Sequence, residues 1–219
     1  MLVAIIPALN EEDSIGSVLE GVKKYVDEII VVDDGSIDKT AEIARAAGAH
    51  TLVHPLNRGQ GAALQTGHEY ARLLGADSVV HFDADGQFNP EEIPLAVTAL
   101  QSAGADILFG SRYLNTKSAL PFTKKYLVHP ISRVINFLFG TPNMSDAHNG
   151  FRVLTKKALD TIEIQQDRMA HATEIPAQVK EHGLTYIEFP VTVHYFEYGQ
   201  NIKGGFRILK DLIMGQFIR

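Results

Sequence analysis

Five short apolar runs fall within the first 110 residues, each closed by a turn and set apart from the next by room for about one helix. They are Leu2–Pro7, Glu28–Val32, Thr51–His54, Ser78–Asp83 and Asp106–Gly110. The segments between them carry helix signals. Asn10 with Asp13 caps a stretch running to about Tyr25, and Asp38 caps one that Gly48 closes. Gly61–Leu74 is helical, and Pro90 opens a helix that runs to Ser102. A βαβαβ rhythm of this kind predicts an α/β fold, a mostly parallel central sheet flanked by helices on both faces.

The rhythm breaks after Gly110. Tyr126–Phe139 reads as an apolar helix with basic flanks, Phe151–Leu154 as a strand, and Ala172–His182 as a helix ended by Gly183. Tyr186–Tyr195 alternates weakly and holds Pro190, which suits an edge strand. Phe206–Phe217 places Phe206, Leu209, Leu212, Ile213 and Phe217 on one face of an amphipathic helix. Neither an internal repeat nor a low-complexity linker divides the chain, so the 219 residues are expected to form a single domain.

Strand tips are where open α/β sheets bind ligands. One tip stands out, VVHFDADGQ at 79–87, where Asp83 and Asp85 follow an apolar run with Gly86 and Gln87 behind them. Two carboxylates this close repel unless a positive charge lies between them. A hard divalent cation, Mg²⁺ or Mn²⁺, takes oxygen ligands and bridges them to phosphate oxygens. The stretch therefore predicts a metal site for a phosphorylated ligand.

Charge narrows the partners. A net charge of −6 argues against nucleic acid. Yet residues 107–145 hold no acid and carry Arg112, Lys117, Lys124, Lys125 and Arg133, a local +5 that leaves −11 on the remainder. A basic island on an acidic protein is a surface for anions. The chain has no cysteine, so disulfides, thiolate metal sites and a cysteine nucleophile are excluded. The N-terminus lacks a basic region and reads as a first strand, and no 18-residue apolar stretch could span a membrane.

Several phosphate-handling motifs fail. A dinucleotide fold needs G-x-G-x-x-G after the first strand, where Pro7-Ala8-Leu9-Asn10-Glu11-Glu12 stands instead. The Gly59-Gln60-Gly61 turn before the third helix can still present backbone N–H groups to an anion. A calcium loop starting at Asp83 would put Phe88 at its required glycine and Pro94 at its bidentate glutamate. DADG also fits a phosphatase with Asp83 as nucleophile and Asp85 as acid, but three strands precede it and Gln87 replaces the usual threonine. His81, His129, His148, His171 and His194 are scattered without an H-x₃-H pair and read as packed or surface residues.

Taken together the motifs resemble family 2 glycosyltransferases, which are inverting enzymes of the GT-A fold. They are IIPALNEE at 5–12, VVDDGS at 31–36, NRGQGAALQTG at 57–67, FDADGQ at 82–87 and GSRY at 110–113. DAHNGFRVL at 146–154, Thr173-Glu174 and EFPVTVHY at 188–195 resemble the polyprenyl-phosphate branch, typified by dolichol-phosphate mannosyltransferases.

The resemblance implies residue roles. Residues 1–113 would form the nucleotide-sugar and metal half, and 114–219 the acceptor half. Pro7, Ala8, Asn10, Glu11, Asp33, Asp34, Gly61, Asp83 and Ala84 would bind a UDP- or GDP-linked sugar. Asp83, Asp85 and Gln87 would hold the metal. Arg112, Lys124, Lys125, Arg133, Arg152 and Lys203 would receive the anionic acceptor, with the loop Tyr198–Gly205 closing over donor phosphate. Asp146 would orient the acceptor or act as base for a hydroxyl, unless it is salt-bridged to Arg152. The implied partners are a nucleotide sugar and a polyprenyl phosphate lipid. The enzyme is expected at the cytoplasmic face of the membrane, peripheral and helped by a small membrane partner protein, or else cut before transmembrane helices. A hydroxyl acceptor on a glycan and a non-catalytic nucleotide-binding regulator are the other readings.

Overall fold

The computed structural model describes residues 1–114 and 144–194. Seven strands form one sheet. In chain order they are β1 (Leu2–Ala8), β2 (Glu28–Asp33), β3 (His50–Val53), β4 (Ser78–His81), β5 (Ile107–Ser111), β6 (Arg152–Thr155) and β7 (Tyr186–Pro190). Their order across the sheet is β3-β2-β1-β4-β6-β5-β7. All pairings are parallel except those of β6, which runs antiparallel to both β4 and β5.

The expected strands are present, with shifted ends. β1 pairs on both sides, and Val3, Ala4, Ile5 and Ile6 are wholly buried. An unbroken apolar run is what a strand covered on both faces requires. β4 ends at His81, so Asp83 lies in the loop beyond the tip. β7 ends at Pro190 on the sheet edge, where the missing N–H breaks no ladder bond.

Six helices are described: α1 (Ile15–Val22), α2 (Thr40–Ala46), α3 (Gln60–Leu74), α4 (Glu92–Ala103), α5 (Lys156–Thr161) and α6 (His171–Glu181). Apolar residues of α1, α2 and α4 pack with Ala4, Ile6, Val80 and Leu108 on one face. Those of α3, α5 and α6 pack with Val3, Ile5, Val79 and Ile107 on the other. Helices therefore cover both faces, as the alternation requires. α5 was not expected; Thr155 caps it by accepting from the Ala158 N–H.

The first helix starts later than its polar residues suggest. Ser14 is its N-cap residue, and the Ile15 N–H bonds the Glu11 carbonyl. Asn10 sits before it in a turn at φ 55°. Gly48 closes α2 at φ 86° as expected, whereas the N-cap is Lys39; Asp38, one residue earlier, accepts from the Thr40 N–H at 2.9 Å. The helices expected at Tyr126–Phe139 and Phe206–Phe217 lie outside the described residues.

Candidate active site

The order β3-β2-β1-β4 reverses direction at β1, and the loops leaving β1, β2 and β4 enclose a cleft. Ligands of open α/β sheets bind at such a switch point. The cleft holds about 310 Å³ and is lined by Pro7, Ala8, Leu9, Glu11, Asp34, Asn57, Gly59, Gln60, Ala63, Asp83, Ala84 and Asp85. The structure thus brings Pro7, Ala8, Glu11, Asp34, Asp83, Ala84 and Asp85 together at one cleft.

Acidic groups dominate its floor. Asp83 accepts from Gln60 Nε2 at 3.0 Å. Its other oxygen rests on Gly150, where a Cβ would come within 2.4 Å of it. Burial, then the nearby Asp85 charge, pushes the Asp83 carboxyl up to about 7. Burial also raises Asp85, whose Oδ1 accepts from the Gln87 N–H at 3.0 Å. Glu11 is raised too, by burial first and then by Asp85 among its acidic neighbours. The Gln87 main chain is engaged twice, its N–H with Asp85 and its carbonyl with the His194 N–H.

A carboxylate that raises its acidic neighbours, as Asp85 raises Asp83 and Glu11, favours a cation among them. Among the described residues, no group of three or more His, Asp or Glu side chains could hold a metal ion. Two carboxylates do suit Mg²⁺ or Mn²⁺, which complete their shells with substrate phosphate and water rather than a protein cage. Asp83 and Asp85 therefore fit such an ion as partial ligands.

Three of the expected donor-binding residues serve mainly to fix the loops. Asp33 accepts from the Ser36 N–H at 2.7 Å and closes a turn. Asn10 donates its N–H to Ser36 Oγ and accepts from the Ile37 N–H, joining the β1 and β2 loops. Gly61 faces away from the cleft lining: a Cβ there would fall 1.9 Å from the Gln166 carbonyl oxygen. The segment between α5 and α6 crosses that end of α3, and the Asp167 carbonyl accepts the Ala62 N–H at 2.9 Å. A protein carbonyl thus takes one of the amides that an anion was expected to meet.

Asp34 lines the cleft and also holds its wall. It accepts from the Arg58 N–H at 3.0 Å, the Gly59 N–H at 2.6 Å and His54 Nδ1 at 2.7 Å. Gln60, Gly150 and Glu174 lie within the quoted motifs, but their contacts, and His54 altogether, were not foreseen from the sequence. Glu174 accepts the Gln165 and Gln166 N–H groups and fixes the crossing segment. Gln60 sits inside the Gly59-Gln60-Gly61 turn, which is its local hint. Gly150 lies in the DAHNGFRVL motif, but local spacing does not show its contact with Asp83 in the loop after β4.

Arg112 lies just past the end of β5. Its Nε and Nη2 donate to the two oxygens of Asp146, each at 2.7 Å. Burial alone would raise the Asp146 carboxyl, but the hydrogen bonds and charge of Arg112 outweigh it and hold the carboxyl below its usual range. The alternative of an Asp146–Arg152 salt bridge is not made; Arg112 is the partner of Asp146. With both oxygens engaged, Asp146 anchors Arg112 and is poorly placed to act as a base.

Arg152 is not at an acceptor-facing surface. It is 1% exposed, pointing into the protein behind Asp83. Of the expected histidines, His81 and His171 are buried, and His81 pairs with His68 at 2.7 Å. Lys124, Lys125, Arg133 and Lys203, and the Tyr198–Gly205 loop, lie outside the described residues.

Residues 3–163 match the family described as Glycosyl transferase family 2. The chain is 37% identical over 219 residues to an uncharacterised protein of Methanocaldococcus jannaschii, covering 96% of this chain and 90% of that one. It is 32% identical to the UDP-N-acetylglucosamine–dolichyl-phosphate N-acetylglucosaminyltransferase of Methanococcus voltae, covering 98% and 95%. It is 30% identical to the polyprenol monophosphomannose synthase of Mycolicibacterium smegmatis, covering 93% and 81%. Among solved structures it resembles glucosyl-3-phosphoglycerate synthase from Mycobacterium tuberculosis bound to Mn²⁺, UDP-glucose and phosphoglyceric acid. That likeness has a TM-score of 0.72 at 18% identity, covering 98% of this chain and 79% of the other, and it shows the GT-A fold.

Proposed function

This chain belongs to glycosyl transferase family 2, and we propose that it moves a sugar from a nucleoside-diphosphate donor to a polyprenyl phosphate. The observation that carries this is an acidic pair at the switch-point cleft together with an arginine fixed by a carboxylate at the end of β5. The Asp83–Asp85 pair faces the cleft, and the Arg112–Asp146 couple stands at the end of β5. Membership of the family sets aside the phosphatase reading of DADG and the non-catalytic regulator.

Asp83 and Asp85 would hold Mg²⁺ or Mn²⁺ against the donor diphosphate. The ion supplies charge neutralisation for the departing nucleoside diphosphate. The protein's own part is positioning. Pro7 and Ala8 add apolar surface to the cleft lining, and Asp34 fixes the loop that walls it. A lipid phosphate is already anionic, so it needs no proton removed, only orientation beside the sugar. Arg112, held in place by Asp146, would bring its positive charge to the acceptor phosphate. That Asp146 is spent on this anchor favours a phosphate acceptor over a hydroxyl, which would need a free base.

The Methanococcus voltae relative is named for a UDP-linked donor and a dolichyl-phosphate acceptor, which supports UDP over GDP here. Among the described residues, no helix is long and apolar enough to cross a membrane. Independently of that, a lipid acceptor would bring the enzyme to the cytoplasmic membrane face as a peripheral protein, with Lys124, Lys125, Arg133 and Lys203 as candidate headgroup contacts. A small membrane partner remains part of this reading.

The test is direct. Purified protein is given Mn²⁺ or Mg²⁺ and a panel of UDP- and GDP-sugars, with and without polyprenyl phosphate, and free nucleoside diphosphate is measured. Release is expected to depend on the lipid phosphate and on metal. Release that responds only to glycan hydroxyls would replace this acceptor with the other.

A second expectation concerns pH. The folded Asp83 carboxyl sits at about 7 against 3.8 unfolded, so its contribution to stability is complete below the unfolded value and is lost as pH rises through 7. A cation that binds the ionised form restores what is lost. The rise in Tm on adding Mn²⁺ is therefore expected to be larger at about pH 8 than at about pH 6. Equal shifts at both would show that Asp83 is not the ion's ligand.

A further inference from the structure

Arg152 is the most anomalous buried group among the described residues. It lies on β6, in register with His81 of β4 and Phe109 of β5. It is 1% exposed, and none of Nε, Nη1 and Nη2 has a hydrogen-bond partner among the described residues. Its guanidinium carbon stands 6.0 Å from the centre of the Phe109 ring. Buried polar groups nearly always find partners, so this one calls for a reason.

Packing does not supply it. A buried charge is costly, and apolar replacements of buried ions are often neutral or stabilising. Four histidines surround the guanidinium without sharing its charge. Burial holds His68, His81, His148 and His171 below the usual imidazole range, and the Arg152 charge adds to the effect. The anions within its electrostatic reach are Asp83 and Asp146. Asp146 is already gripped by Arg112, whereas Asp83 has one side-chain hydrogen bond, from Gln60. Gly150, two residues before Arg152, lies directly against the Asp83 carboxylate.

A nucleoside diphosphate carries several negative charges, and the cleft that would receive it is lined by Glu11, Asp34, Asp83 and Asp85. Something must temper that field before the diphosphate arrives. We propose that Arg152 is a positioning residue of the donor site, a fixed internal cation that acts through Asp83, without touching ligand, to make the cleft acceptable to a nucleoside diphosphate. The charge works across a low-dielectric interior, where it is screened far less than a surface lysine. The proposal rests on the donor-site reading given above.

It makes predictions of opposite sign for the two charged ligands. Arg152→Met and Arg152→Lys are compared with wild type at about pH 8.5, above the Asp83 value of about 7 and below the Arg152 value of about 10, so both groups stay ionised. UDP without metal, and Mn²⁺ alone, are titrated by calorimetry. In Arg152→Met, UDP affinity is expected to fall and Mn²⁺ affinity to rise, each by roughly three- to tenfold. Arg152→Lys is expected to restore both, and Tm in Arg152→Met should be unchanged or higher. A purely structural role would not move the two affinities in opposite directions.

Affinities within about twofold of wild type in a folded Arg152→Met protein would overturn the proposal. So would failure of that variant to fold, which would make the charge a support of the sheet. Wild-type protein that binds neither UDP nor Mn²⁺ would sink the donor-site reading and this proposal with it, and it would do so before any substitution is made.

Discussion

Asp85→Ala is expected to lower kcat by roughly 10³-fold while the protein stays folded. A metal that neutralises a leaving diphosphate contributes several kcal/mol to the transition state, and each 1.4 kcal/mol is about tenfold in rate. Asp85 is the better of the two carboxylates to change. Its Oδ1 holds only the local Gln87 N–H, two residues away. Asp83 is tied to Gln60 and packed on Gly150, so its loss would disturb the wall of the cleft as well. Nucleoside diphosphate release and far-UV circular dichroism, measured on the same preparation, check the result. A variant that kept wild-type turnover would remove the acidic pair from the chemistry.

Asp34→Ala is expected to unfold more easily and to lose donor binding together. The substitution leaves the Arg58 and Gly59 N–H groups and the His54 ring without their shared acceptor in a part-buried wall. Unmade hydrogen bonds of this kind cost about 1–3 kcal/mol each when the group is kept from water. A total of about 3 kcal/mol would lower Tm by roughly 6–12 °C in a chain of this size. Asp34→Asn keeps an acceptor oxygen and should recover part of the loss. A thermal melt showing Asp34→Ala as stable as wild type, with donor binding alone impaired, would mean that Asp34 contacts ligand and does not support the loop.

The two carboxylates of the Asp33-Asp34 pair show how far sequence reasoning reached. Their position at the tip of β2 was legible, because an apolar run ending in Asp-Asp-Gly-Ser can only be a strand followed by a turn. Their division of labour was not. Asp33 closes the local turn with Ser36, three residues on, whereas Asp34 grips Arg58 and Gly59 some 25 residues away. The same holds for Asp146. An ion pair with Arg152, six residues along the chain, was one reading, and the partner proved to be Arg112, 34 residues back. Hydrogen-bond partners within a turn follow from spacing; partners across the sheet follow from strand order.

Strand order is where reading along the chain stopped. Phe151–Leu154 was recognisable as a strand, but nothing local says that β6 enters antiparallel between β4 and β5. That insertion brings Gly150 against Asp83 and buries Arg152 behind it. It also explains why Gly61 is a packing glycine, since the chain leaving β6 through α5 returns across the start of α3.

The sequence by itself determined the alternation of strands and helices, the burial of both sheet faces, and the acidic pair that follows Phe82. Each of these depends on residues a few positions apart, so periodicity and turn chemistry suffice to specify them. Only the tertiary structure decided which carboxylate faces the cleft, which one is tied to an arginine, and which arginine is sealed inside. Those outcomes depend on the pairing of segments far apart in the chain, where the free energy comes from surfaces that meet only after the sheet has closed.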